Sequence, residues 1–135
     1  MKKLGRTIDS ELVINKEKVM RVYFGHSMLS YNTDKEKEEL KVLRKMYDNI
    51  ICPNVDIRIA SGGMNAYLRI VGWADLVVVS EYRGFVGAGV FAEVKKALKL
   101  KIPVKCLRRK KLLDVKDVIK NDYRDIKIKY GKLII

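Results

Sequence analysis

Four consecutive apolar residues, Leu76-Val77-Val78-Val79, lie between two stretches of helical spacing. A strand with no polar side must be covered on both faces, as happens inside a parallel sheet wrapped by helices. The flanking segments supply the rest of that architecture. Residues 19–24 (VMRVYF) form a short β-branched and aromatic run that stops at Gly25. Thr33-Asp34-Lys35-Glu36 fits a capping box, and Leu40, Leu43, Met46, Tyr47 and Ile50 follow at helical spacing, which predicts a helix over about 34–48. Ile50-Ile51-Cys52 reads as a second strand stopped by Pro53. A helix follows over about 64–72, and Gly84, Gly87 and Gly89 break the chain before another over about 88–100. Residues 102–107 (IPVKCL) are the next strand, and residues 126–130 and 133–135 alternate around Gly131-Lys132 like a terminal hairpin.

Strands alternating with helices make an α/β domain. Right-handed crossovers then place helices on both faces of a parallel sheet. The 135 residues suit one domain over 19–135, with 1–18 as a loosely attached N-terminal arm. An apolar share of 48% with two prolines excludes wholesale disorder. No apolar run reaches the roughly 18 residues of a membrane span, and the first residues lack the apolar stretch of a secretory signal, so the expectation is a soluble, cytoplasmic protein. Cys52 and Cys106 stand apart beside apolar residues and there is one histidine, so the sequence predicts buried reduced thiols and no metal site. Glutamine is absent while Lys, Glu and Ile abound, which fits a thermophilic source or codon bias.

The net charge of +13 is uneven: +2 over residues 1–18, +3 over 19–100 and +8 over 101–135. It centres on Arg108-Arg109-Lys110-Lys111. That cluster reads either as a nucleic-acid or polyphosphate patch or as a solvated surface; the run is short and has no interleaved aromatic residues in sequence.

In parallel sheets ligands bind beyond the carboxyl ends of the strands. The loops that qualify are Gly25-His26-Ser27-Met28, the segment 80–89 with Glu81, Gly87 and Gly89, and the loop after Cys52. Glu93 lies near a helix start, three residues after Val90 and one before Val94, beside the buried face. A helix N-terminus stabilises a carboxylate and keeps it ionised. Such a group can attack an electrophilic sugar carbon, or can simply complement the helix dipole. The glycines let the backbone approach a ligand, and free N–H groups at the helix start could hold a phosphate. His26 could donate to a substrate oxygen or pack as a loop residue. Asp75 lies at the opposite end of its strand and reads as a turn-holder.

Three motifs in this order resemble the nucleoside 2-deoxyribosyltransferase superfamily. They are Tyr23-Phe24-Gly25-His26-Ser27-Met28, Ala74-Asp75-Leu76-Val77-Val78-Val79, and Gly89-Val90-Phe91-Ala92-Glu93 followed by Ile102-Pro103-Val104. The resemblance spans about 19–107 and is nearest to the branch that hydrolyses 2′-deoxynucleoside 5′-monophosphates. It implies a flavodoxin-like parallel sheet of order 2-1-3-4-5 and cleavage of an N-glycosidic bond without a cofactor. It also implies Glu93 as nucleophile, positioned by Tyr23. Gly25, His26 and Ser27 would line the sugar or phosphate pocket, with Met28, Glu81, Gly87, Gly89 and Val90 around it. A homo-oligomer follows by the same analogy. The chain departs from the pattern at Gly87, where the hydrolase branch has Ser, and at Tyr67, where an Asp would protonate the leaving base. The alternative is a non-catalytic module on the same fold that binds a nucleotide, or nucleic acid through Arg108 to Lys111.

Overall fold

The computed structural model describes residues 20–56, 64–122 and 125–130. The N-terminal arm read at 1–18 and the hairpin partner read at 133–135 lie outside them. Strand β1 (Arg21–Gly25) is followed by a single 3-10 turn (Met28–Ser30), helix α1 (Asp34–Met46) and β2 (Asn49–Ile51). Next come the one-turn α2 (Pro53–Asp56), α3 (Met64–Trp73), β3 (Leu76–Val79), α4 (Ala88–Lys99) and β4 (Val104–Arg108). Strands β5 (Lys111–Asp122) and β6 (Asp125–Tyr130) complete the order. Thr33 caps α1 as its spacing predicts, accepting from the Glu36 amide at 3.4 Å. Pro53 does more than stop β2: it starts the turn of α2, where its missing N–H costs nothing.

The sheet order is β2-β1-β3-β4-β5-β6. β1 pairs in parallel with β2 and β3, and β3 with β4. The α/β class and the order 2-1-3-4-5 are as expected from the sequence. The fifth strand reverses direction, running antiparallel to β4 and to β6, so the sheet is mixed. A C-terminal hairpin is present, but residues 126–130 belong to its second strand and pair with 115–120 upstream.

Side chains along β1 alternate between two cores, as the pleat requires. Val22 and Phe24 pack with Leu40 and Leu43 of α1. Tyr23 faces the other way, among Val71 of α3 and Val90 and Val94 of α4. β3 divides likewise, with Leu76 and Val78 in the first core and Val77 and Val79 in the second. The hairpin closes the second core by laying Val118, Ile126 and Ile128 over α4, with Lys95 Nζ 2.7 Å from Asp117 Oδ1. At the amino edge Asp75 Oδ2 accepts from the Arg21 amide at 2.9 Å and its Oδ1 from Arg21 Nη2 at 3.1 Å. Asp75 thus stitches the starts of β1 and β3 together, away from the ligand edge. No described helix is long and apolar enough to cross a membrane.

Candidate active site

Glu93 is the sixth residue of α4, on the face that descends onto the sheet, and it is 6% exposed. Its Oε2 accepts a hydrogen bond from the Tyr23 hydroxyl, which rises from β1 beneath it. Gly25 makes this arrangement possible. A Cβ at that position would lie 2.7 Å from Glu93 Oε1, so any side chain there would displace the carboxylate. Gly25 therefore provides clearance for Glu93; it is not part of the cavity wall.

Sequence spacing placed Glu93 near the helix start, where the dipole would keep it ionised. The structure corrects this. The second turn lies beyond the dipole's main reach, and desolvation dominates. Burial pushes the Glu93 carboxyl up to about 7, against the Tyr23 hydrogen bond, which pulls it down. Burial and then the neighbouring Glu93 charge raise the Tyr23 hydroxyl far above its ordinary value, so it stays a proton donor. Tyr31 is pushed up to about 12 by burial and then by Glu93.

A cavity of about 480 Å³ opens in front of the carboxylate. The loop after β1 contributes His26, Ser27 and Tyr31, and α3 contributes Tyr67. The start of α4 contributes Gly87, Ala88, Gly89, Val90 and Glu93. Gly87 is the N-cap of α4 and offers no side-chain cap, so the first-turn amides keep their donor capacity. Ser27 Oγ stands 4.0 Å from where a Gly87 Cβ would be, and it accepts from the Leu29 amide at 3.2 Å. A hydroxyl and a helix start thus share one wall.

His26 also stacks on Phe24, with ring centroids 4.5 Å apart. Its Nε2 is 2.6 Å from Glu36 Oε2, which also accepts from Asn54 Nδ2 at 2.7 Å, while Glu36 Oε1 accepts from the Asn32 amide at 3.1 Å. Burial alone would raise the Glu36 carboxyl; the bonds from His26, Asn54 and Asn32 outweigh it and hold the acid below its usual value. An ionised Glu36 fixes the proton on Nε2. His26 Nδ1 is buried and has no hydrogen-bond partner among the described residues. Donor atoms of His26, Glu36 and Cys52 lie within 4.8 Å of one another, a set that suits a transition metal. His26 and Glu36 are already bonded to each other, and the Cys52 thiol donates to Asn54 Oδ1 at 3.2 Å.

The structure brings together His26, Ser27, Gly87, Gly89, Val90 and Glu93, with Tyr23 and Gly25 directly behind them. Glu81 is not with them. It lies in a separate cleft of about 240 Å³ beside Lys35, Glu39 and Arg108, with its Oε1 3.7 Å from Arg108 Nε. A tight turn closed by the Tyr82–Phe85 bridge lies between Glu81 and Gly87 in the chain. Met28 opens the 3-10 turn, and its side chain lies outside the described part of the structure. Sequence reasoning passed over Tyr31, whose only signal was an aromatic residue in the polar loop after β1. It read Glu36 as a helix cap and missed its bond to His26. Comparison of the chain with protein-family models, curated proteins and solved structures finds no match in any of the three.

Proposed function

We propose that this chain cleaves the N-glycosidic bond of a nucleoside or nucleoside 5′-monophosphate, with Glu93 as nucleophile. The observation that carries the reading is a buried carboxylate, bonded to Tyr23, on the floor of a cavity large enough for a small ligand. The order of the three sequence motifs supports the same reading. A carboxylate oxygen of Glu93 forms a bond to C1′ as the C1′–N bond breaks, and the electron pair leaves with the base, which takes up a proton. Water, or a second base, then attacks C1′ and frees Glu93. With water the balance is glycoside plus water giving sugar and free base. Tyr23 holds the attacking carboxylate in place. Ser27 and the first-turn amides of α4 suit a 5′-phosphate or sugar hydroxyl. Tyr31 and Tyr67 offer aromatic walls for the base.

A second reading is a nucleotide-binding module without turnover. It rests on one observation: Glu93 is the only carboxylate lining the cavity among the described residues, so none there can protonate the departing base. Glu93→Gln separates the two. The amide keeps size and reach but removes the nucleophile, so base release from a panel of nucleosides and 5′-monophosphates should fall by a factor of about 1000 or more while binding persists. Full turnover by the variant would overturn the nucleophile role. A wild-type protein that binds nucleotides and releases no base from any of them would establish the binding module instead.

A further inference from the structure

The cavity continues past its mouth. A second hollow of about 370 Å³ shares Ser27, Gly87 and Ala88 with it and reaches Tyr82, Arg83, Phe85 and Ile126. Strand β6 runs beside this loop, joined by the Val86 amide donating to the Ile126 carbonyl at 2.9 Å. Cations and aromatic rings meet around this hollow, and Arg108 of the basic run gains in space an aromatic neighbour that it lacks in sequence. Lys127 Nζ sits 5.3 Å from the Phe85 ring centre, the Arg83 guanidinium 5.3 Å from Tyr82, and the Arg108 guanidinium 5.6 Å from Tyr130. Phe85 is 40% exposed although it is large and apolar.

Arg83 (φ 54°), Arg109 (φ 51°) and Lys110 (φ 65°) hold left-handed turn conformations, where Asn and Gly fit best. β1 and β4 are two strand spacings apart, about 10 Å, so the basic turn after β4 lies close to the loop after β1 that lines the cavity.

We infer that this edge binds a single-stranded nucleic acid, and that the glycoside presented to Glu93 is a nucleotide within or at the end of such a strand. The inference rests on the proposed glycosidase reading for its second half only. Alternating cations and aromatic faces are what an unpaired strand needs: the cations meet phosphates and the rings meet splayed bases. A duplex hides its base faces and has no use for the rings. The chain's net charge of +13 favours a polyanionic partner over a neutral one.

The test is fluorescence anisotropy with a labelled 12-nucleotide single strand and the matching duplex across a salt series, alongside chromatographic detection of free base from the strand and from 5′-monophosphates. The strand should bind more tightly than the duplex. Replacing Arg83, Arg108 and Lys127 together with Ala should make the slope of log affinity against log salt shallower by about 2, since each phosphate contact contributes roughly 0.7. Tyr82→Ala and Phe85→Ala should each weaken strand binding about tenfold. The strand should also release base faster than the monophosphates do. No strand binding at low salt, equal binding of duplex, or full affinity in these variants would overturn the inference. Base release from monophosphates with no strand binding would remove the track and keep the glycosidase. Strand binding lost in the variants, with no base released from any substrate, would keep the track and remove the glycosidase.

Discussion

At the scale of single residues, the raised Glu93 carboxyl couples chemistry to stability. The ordinary value for glutamate is 4.5 and burial lifts it to about 7 in the fold. The folded protein therefore holds a proton that the unfolded chain gives up between those values. Stability from this group is complete below about pH 4.5 and is lost as pH rises through about 7, a swing of about 3 kcal/mol. Urea denaturation at pH 5 and pH 8.5 should show wild type losing stability relative to Glu93→Gln by about that amount, because the amide carries no charge to desolvate. Equal pH dependence in the two proteins would mean that the carboxylate is hydrated after all. In the proposed glycosidase the attacking carboxylate must be ionised, so kcat/KM for base release should rise with pH up to about 7 and then level. A profile already flat at pH 5 would contradict the buried state. A glutamate that merely complemented the helix dipole would show neither effect.

At the scale of elements, β5, the first strand of the C-terminal hairpin, is the part that sequence patterning missed. A regular strand alternates faces, so Val115 and Val118 would point in opposite directions. A register shift between Val115 and Asp117 adds a residue and turns both inward. That irregularity is why residues 111–122 show no clean period of two. Val118→Ala should cost about 2 kcal/mol in denaturant titration, from lost burial against α4 and the void left behind. Ile119→Ala, at a position 41% exposed, should stay within about 0.5 kcal/mol. The reverse ranking would place the bulge elsewhere. The elements that were legible carry local signals. Leu76–Val79 announces a doubly covered strand, Thr33 and Glu36 announce a helix start, and Val90, Glu93 and Val94 lie on one helical face. Illegible were the features made by contact between distant elements. Asn54 reaches Glu36 across 18 positions of chain, and Tyr23 reaches Glu93 across 70. The depth of Glu93, and so its proton affinity, depends on packing that no spacing rule encodes.

At the scale of the whole molecule, the cavity draws its walls from the first parallel strand's loop, from α3 and from α4, so it exists only when both crossovers are complete. β1 and β3 each give side chains to both cores, Val22, Phe24, Leu76 and Val78 on one face and Tyr23, Val77 and Val79 on the other. Neither core can melt while the other persists, since losing one strand strips both. Thermal unfolding of the described domain should therefore be a single cooperative transition. Trp73, the chain's one tryptophan, packs against the core shared by α3 and α4, so its fluorescence follows one side of the sheet while far-UV circular dichroism follows all of it. The two midpoints should coincide, and the calorimetric and van't Hoff enthalpies should agree. A fluorescence midpoint several degrees below the dichroism midpoint would show the two faces parting company. With shared strands, a substitution that loosens α1 is felt in the Glu93 cavity on the far side, and a ligand seated there raises the melting temperature of the entire domain.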